Sequence, residues 1–271
     1  MLKDITIGQY YPGRSFLHRL DPRTKLICLF FYMIGLFMVK ELSSFSYLIA
    51  FTALVVAGSG VPVKTLFKGI RPLWLLITLT LILNFFMTPD GAVLWQWRFL
   101  KITGAGVIRG VFMALRLILL LNVTSLLTLT TTPILLTDGL ERIMKRCFIP
   151  MAHELAMMMT IALRFIPTLI EETERIMKAQ IARGADFETG SLLTRAKSLI
   201  PLLIPLFVSA FRRADDLAMA MEARCYRGGE GRTRLRQLRY RGSDAAAFIA
   251  TAFFVAFIVA DRYWLTIITL W

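Results

Sequence analysis

Two arginines stand at the ends of two long amphipathic stretches, in closely similar tripeptides. The first is Ala182-Arg183-Gly184 and the second is Ala223-Arg224-Cys225. A guanidinium is planar, always charged and able to bind a carboxylate or carbonyl through paired hydrogen bonds, so such a helix end could insert into a groove of a partner. The helix dipole alone also favours an arginine in a last turn. Because the tripeptide occurs twice, each time where the chain turns, docking on a partner with two similar grooves is the favoured interpretation.

Two long amphipathic helices must position these arginines. Apolar residues recur at helical spacing from Leu155 to Met177 and again from Leu192 to Met221, with charged residues between them. The stretch from Gly184 to Gly190 interrupts the pattern, and Ser191 is suited to cap the second helix. Internal prolines should kink the helices without ending them: Pro167, Pro201 and Pro205.

The apolar faces of these two helices are wider than either helix could bury against the other. We expect the helices to cross, with their middle parts in contact and the remaining apolar surface left for a further partner. Methionine is flexible and polarisable, which suits packing against more than one surface. The methionines on the two helices are Met157, Met158, Met159, Met177, Met219 and Met221. An ordinary internal core is the alternative role for these side chains.

The composition is that of an integral membrane protein. The chain has 271 residues, of which 56% are hydrophobic, and its mean hydropathy is +0.63. Its net charge is +14, which cytoplasmic loops obeying the positive-inside rule explain more simply than nucleic-acid binding does. Cys28, Cys147 and Cys225 form no close pair, so neither a disulfide framework nor a metal site is expected.

The predicted fold class is an all-α integral membrane protein with about five spans. Residues 1–130 form the N-terminal membrane region, residues 131–244 form three cytoplasmic helices and a basic tail, and residues 245–271 form the last span. The spans of the N-terminal region cover about residues 24–42, 43–60, 72–88 and 104–130. Basic residues in the entry segment predict a cytoplasmic N-terminus. Because the predicted number of spans is odd, the C-terminus should then lie outside.

Several polar or aromatic residues of the membrane region have two possible roles. Arg116 lies deep in the fourth span, where an ionisable side chain is a functional hypothesis, and we expect it to pair with backbone carbonyls or with a neighbouring subunit. Trp95 and Trp97 indicate an interfacial belt, with a substrate site as the alternative. His18 and Asp21 have no nucleophile or metal partner nearby in the sequence, so a structural turn is expected there.

No catalytic signature accompanies these features. None of the 17 glycines is followed by lysine, which excludes a Walker A loop, and the chain has no GxSxG, HExxH or CxxC motif. A membrane protein of this kind should transmit force from separate ATP-hydrolysing subunits, with no cofactor of its own. A membrane-embedded enzyme acting on lipid is the alternative, with the basic tail holding anionic headgroups. It lacks a credible nucleophile or set of metal ligands.

Over nearly its full length the chain resembles the transmembrane T component of energy-coupling factor (ECF) transporters, the EcfT/CbiQ family. The resemblance is carried by Pro12-Gly13-Arg14-Ser15-Phe16-Leu17-His18-Arg19-Leu20-Asp21-Pro22-Arg23-Thr24-Lys25, by Leu163-Arg164-Phe165-Ile166-Pro167-Thr168 through Ala182-Arg183-Gly184-Ala185-Asp186, and by Arg212-Arg213-Ala214-Asp215-Asp216-Leu217-Ala218-Met219-Ala220-Met221-Glu222-Ala223-Arg224.

The resemblance implies a non-catalytic subunit of an ATP-driven vitamin or micronutrient importer in the bacterial cytoplasmic membrane. The implied partners are two ABC ATPase subunits, which bind the ATP, and a separate substrate-binding S component. It assigns ATPase docking to Arg183 and Arg224, with Ala182, Gly184 and Ala223 as motif neighbours. Cys225 stands where the first tripeptide has glycine, which leaves the local backbone conformation open.

Overall fold

The computed structural model describes residues 10–39, 42–87, 93–97, 100–187, 191–229, 231 and 237–268 of the chain. Helices dominate these residues, which confirms the predicted all-α fold class. In chain order they are α1 (Phe16–Arg19), α2 (Pro22–Met38), α3 (Leu42–Ser59), α4 (Val63–Ile70), α5 (Trp74–Met87), α6 (Gly104–Thr130), α7 (Pro133–Arg146), α8 (Ala152–Ala182), α9 (Leu192–Ser198), α10 (Ile200–Ala223) and α11 (Gly242–Ile268).

A short antiparallel hairpin interrupts the helical pattern between α5 and α6. It pairs β1 (Val93–Trp97) with β2 (Leu100–Thr103), where the sequence predicted only an outer loop. The side chains of Trp95 and Trp97 lie outside the described residues, so their interfacial role stays a prediction.

Helical stretches long and apolar enough to cross a membrane confirm a multi-pass protein. They are Val63–Phe86, Gly104–Thr130, Ala152–Ala182 and Gly242–Asp261. Three of these contain or overlap the third, fourth and fifth predicted spans. Helices α2 and α3, at 17 and 18 residues, coincide with the first two predicted spans, which stay predictions. Length and composition also admit α8, so the cytoplasmic location predicted for that helix stays a prediction.

The helix that contains the third predicted span begins earlier than the sequence predicted. The expected start was Pro72, but the helical stretch begins at Val63 and continues through a 3₁₀ turn at Arg71–Leu73. Proline has no N–H to donate, and it is tolerated in the first turn of a helical segment. The chain therefore accommodates Pro72 by tightening one turn.

Tertiary contacts group the chain into two compact units, one within Leu140–Gln237 and the other within Gly8–Gly139 and Leu238–Trp271. The predicted division after residues 130 and 244 stays a prediction. In the second unit, α6 packs against α2, α3, α4 and α5, while α11 packs against α2. Its largest apolar cluster is Tyr32, Leu36, Val39, Phe45, Leu48, Leu119, Phe254 and Ile258.

The Pro12–Lys25 motif ties helix ends together in this second unit. Asp21 caps α2 through the amide of Arg23 at 3.0 Å, and its own amide donates to the carboxylate of Asp244 at 2.8 Å. The Lys25 ammonium donates to the carbonyl of Thr130 and the hydroxyl of Thr131, each at 2.9 Å. The motif thus joins the start of α2 to the start of α11 and to the end of α6.

His18 has the structural role that the sequence suggested. Its Nε2 donates to the carbonyl of Tyr11 at 2.9 Å, because a carbonyl can only accept. Its Nδ1 accepts from the hydroxyl of Ser15 at 2.6 Å. Both ring nitrogens are therefore occupied by contacts that shape the entry turn.

Candidate functional site

Helices α8 and α10 pack against each other and run antiparallel. Near the end of α8, the Gln180 side chain lies 3.4 Å from the carbonyl of Pro201 at the start of α10. Further along, Arg213 of α10 donates to Glu172 of α8 at 2.5 Å. The expected packing of the two helices is present, while their crossing angle stays a prediction.

The antiparallel arrangement separates the two arginines. Arg183 follows the end of α8, beside the start of α10, whereas Arg224 follows the far end of α10. At 1.5 Å per residue, the 24 residues of α10 place the two tips roughly 36 Å apart. One helix pair therefore presents an arginine at each of its ends.

Pro201 changes the second amphipathic segment more than predicted. The sequence predicted a kinked but continuous helix, which is wrong, because α9 ends at Ser198 and α10 begins at Ile200. Pro201 has no N–H to donate to the carbonyl of Lys197, four residues earlier, and its ring crowds that carbonyl, so the helix breaks at Leu199. The internal prolines Pro167 and Pro205 interrupt neither α8 nor α10.

The first arginine caps α8 in a Schellman motif. The amide of Gly184 donates to the carbonyl of Ile181 at 2.9 Å, and the amide of Ala185 donates to that of Gln180 at 2.9 Å. Gly184 has φ +87°, in the left-handed region that glycine enters without steric cost. Arg183 is thereby held at a fixed place in the last turn, directly after Ala182.

The second arginine caps α10 in the same motif. The amide of Cys225 donates to the carbonyl of Glu222 at 2.8 Å, and the amide of Tyr226 donates to that of Met221 at 3.0 Å. Cys225 has φ +54°, so it adopts the conformation of Gly184 despite its side chain. This answers the question that the sequence left open, because the two tripeptides share one backbone geometry.

Both guanidinium groups are accessible to a partner. Arg183 and Arg224 are exposed, as are Ala182, Gly184, Ala223 and Cys225. Among the residues that the structure describes, neither arginine has a hydrogen-bond or ion-pair partner for its side chain. Two charged groups in identical capping turns are therefore available for contacts with another molecule.

A continuous apolar face on α10 is uncovered. Its residues recur at spacings of three and four, which places them on one side of the helix. They are Ile200, Leu203, Ile204, Phe207, Val208 and Phe211, and all are exposed. Surface of this extent on one helix face indicates contact with another protein or with lipid.

A third helix end has the same turn, which the sequence analysis missed. At the end of α7, the amide of Ile149 donates to the carbonyl of Met144 at 3.1 Å, and Phe148 has φ +57°. The Phe148 side chain is 93% exposed. A large apolar side chain in this conformation gives no local sequence signal, because glycine or asparagine usually occupies the position.

Arg116 pairs with a backbone carbonyl, one of the two partners that its depth suggested. Its Nη2 donates to the carbonyl of Val39 at 2.7 Å, at the end of α2. The guanidinium also lies over the rings of Phe37 and Phe45, at 5.7 and 5.9 Å from their centroids. Arg116 therefore caps the end of α2 beside the middle of α6.

The side chains of the described residues do not form a metal centre. No group of three or more His, Cys, Asp or Glu in those residues is arranged to hold a metal ion. The paired arginine tips and the apolar face of α10 are exposed surfaces suited to contact with another molecule.

Comparison with known proteins shows the family to which the chain belongs. The family model described as "Cobalt transport protein", CbiQ, matches residues 13–235. The chain is 56% identical over 259 residues to the energy-coupling factor transporter transmembrane protein EcfT of Acidaminococcus fermentans, covering 94% of this chain and 96% of the relative. It is 47% identical over 253 residues to EcfT of Bacillus subtilis, covering 92% and 95%. The chain therefore belongs to the EcfT/CbiQ family of transmembrane components of energy-coupling factor transporters.

Proposed function

We propose that this chain links ATP hydrolysis by two cytoplasmic ABC ATPase subunits to uptake through a separate S component that binds a vitamin or another micronutrient. It acts as a non-catalytic subunit, and the ATP belongs to the ATPases. The observation that carries the proposal is the pair of exposed arginines, Arg183 and Arg224, in two capping turns with the same hydrogen bonds.

The capping turns explain why these arginines suit docking. In each turn, two backbone hydrogen bonds close the helix end, so the Cα of the arginine cannot move independently of its helix. An ATPase groove that binds the guanidinium would then pull on the whole helix rather than on a loose loop. A spacing of roughly 36 Å lets each tip enter a different subunit.

The uncovered face of α10 supports a second partner. Ile204, Phe207 and Phe211 are each about 60–70% exposed, although their side chains are entirely apolar. Apolar surface of this kind is stabilised when a partner covers it, at about 25 cal/mol per Å² removed from water. We assign this face to the S component, so that one helix carries both an ATPase tip and an S-component contact.

The proposed orientation follows the distribution of charge. The N-terminus and residues 131–244 face the cytoplasm, and the C-terminus lies outside, in a bacterial cytoplasmic membrane. This orientation puts both arginine tips on the side where ATP is available. Labelling of single cysteines from each side of the membrane would test it.

Charge reversal at the tips tests the docking. Arg183→Glu and Arg224→Glu should each weaken binding of the cognate ATPase pair by about 2–5 kcal/mol, or roughly thirtyfold or more in affinity. Because one intact tip still tethers the pair, each single variant should retain part of the complex, and the double variant should retain almost none. The measurement is recovery of the ATPases with the affinity-tagged chain from mild detergent.

Arg175→Glu is the matched control. Arg175 is an exposed arginine within α8, so the substitution makes the same change of charge away from the tip. It should leave ATPase recovery unchanged. Normal recovery with the double variant, at normal expression in the membrane, would refute docking through the arginine tips.

A further inference from the structure

A side-chain network surrounds the residue that follows the second tip. Nδ1 of His153 lies 2.9 Å from Oε1 of Glu141, and Nε2 of the same ring lies 3.2 Å from the hydroxyl of Tyr226. Because a carboxylate can only accept, Nδ1 carries the proton and donates to Glu141, and Nε2 accepts from Tyr226 in the neutral ring. The network thus joins α7, the first turn of α8 and the chain just after α10.

The members of this network are held tightly. The Glu141 side chain is 5% exposed and that of His153 is 13% exposed, and Lys145 pairs with Glu141 at 3.1 Å. Gly229 passes over the imidazole so closely that an added Cβ would lie 2.5 Å from Cδ2 of His153. The chain beyond the tip is therefore pressed against the ring as well as hydrogen-bonded to it.

Tyr226 is rigidly connected to Arg224. Its amide closes the Schellman motif on the carbonyl of Met221, and Cys225 between them donates to Glu222. The backbone from Arg224 to Tyr226 thus has no free rotation that could isolate the arginine from the tyrosine ring. Holding the ring in place therefore also restricts the position of the Arg224 backbone.

We propose that Glu141, His153 and Tyr226 are positioning residues that aim the Arg224 tip at its ATPase subunit. The inference rests on the proposed function, because it assumes that Arg224 docks. The network anchors the tip to the corner between α7 and α8, so the tip moves with that corner as one body. Movement of the ATPase would then be transmitted to α7 as well as to α10.

The first tip is the natural control for this proposal. Arg183 lies 30 residues from His153 along α8, a distance of about 45 Å at 1.5 Å per residue. Loss of the network should therefore affect the Arg224 tip and leave the Arg183 tip unchanged. A general loss of stability in the unit would affect both.

Docking affinity measured in a double-mutant cycle tests the proposal. The purified chain in nanodiscs is titrated with its cognate ATPase pair, and Tyr226→Phe, which removes only the hydroxyl, should weaken binding by about threefold to tenfold. That loss should vanish in the Arg224→Glu background and persist in the Arg183→Glu background. Tyr47→Phe, an exposed tyrosine of α3, should have no effect. A loss of equal size in both backgrounds, or no loss in either, would overturn the proposal.

A second measurement needs no ATPase. A nitroxide spin label on Cys225, in a chain lacking Cys28 and Cys147, reports the mobility of the second tip. Gly184→Cys with Cys225→Gly moves the same label to the first tip and gives it the same Ala-Arg-Cys sequence. Tyr226→Phe and His153→Ala should increase label mobility at position 225 only. An increase at both positions, or at neither, would refute the positioning role.

The two measurements separate the two proposals. If the charge-reversal variants bind the ATPases normally, the docking function fails, and the spin label still decides whether the network holds the tip. If charge reversal abolishes binding but the label and the cycle show no link to Tyr226, docking stands and positioning fails. Unfolding temperatures of His153→Ala and Tyr226→Phe in detergent identify any variant that fails to fold, and Tyr226→Phe, as the milder change, then carries the test.

Discussion

Replacing Gly184 with alanine should open the capping turn at the end of α8. At φ +87°, an added Cβ meets nothing within 4 Å, so the backbone conformation alone sets the cost. A residue other than glycine in the left-handed region costs about 1–2 kcal/mol. Alanine loses less conformational entropy than glycine on folding, which offsets part of this cost. The amides of Gly184 and Ala185, which close the turn, should then exchange with deuterium about twofold to tenfold faster, since exchange follows the population of the open turn.

The second tip should respond in the opposite direction. Cys225 already has φ +54°, so Cys225→Gly removes the left-handed strain. Part of this gain is offset because glycine loses about 0.5–1 kcal/mol more conformational entropy than alanine on folding. The net effect should be slower exchange at Cys225 and Tyr226, by about twofold to tenfold.

Hydrogen–deuterium exchange of the purified chain, read by mass spectrometry on peptides covering each tip, measures both changes. Gly228→Ala is the matched control. Gly228 also has a positive φ, +90°, and open space around it, but it lies outside both capping turns. It should leave exchange at Gly184 and Ala185 unchanged. Unaltered exchange in Gly184→Ala would mean that the left-handed turn does not hold the first tip.

Further predictions concern the apolar face, the intramembrane arginine and the motion of the helix pair. Phe207→Ser with Phe211→Ser should reduce recovery of the S component severalfold while ATPase recovery stays normal, and the reverse pattern would contradict the assignment of that face. Arg116→Met should lower the unfolding temperature, since the buried carbonyl at the end of α2 loses its donor at a cost of about 1–3 kcal/mol; an unchanged transition would show that the contact adds nothing. We expect the angle between α8 and α10 to change when the ATPases close, so a cross-link between Gln180→Cys and Pro201→Cys, where the two helices already meet, should stop transport without releasing the ATPases. Transport at the normal rate would show that the pair is a rigid scaffold.

Local sequence signals were sufficient to predict most of the helices. Long apolar runs predicted α6 and α11. The helical periodicity from Leu155 to Met177 predicted α8, because burial of one helix face depends on residues three and four apart. The same signals failed at prolines, where Pro72 sits inside a helical stretch and Pro201 follows a break. Proline removes one donor in either case, and packing around it decides whether the helix continues.

The arginine tips were found from sequence because repetition of a short motif at two helix ends is itself a signal. Their chemistry follows from the residue type, since a guanidinium is charged and planar in any setting. Their shared geometry does not follow. Glycine predicts the left-handed turn at position 184, whereas cysteine at 225 argues against it, and only the hydrogen bonds to Met221 and Glu222 reveal the same cap.

The amino-acid sequence by itself determined the membrane character of this protein, its helical class and the position of both arginine tips, because these depend on composition and on spacing within one segment. Only the tertiary structure decided which distant residues meet. Arg116 reaches Val39 across 77 positions, and His153 reaches Tyr226 across 73. No residue in such a pair signals its partner, since the packing of whole helices brings the two together. Helix packing depends on the summed burial of many side chains, and that sum cannot be read from either residue alone.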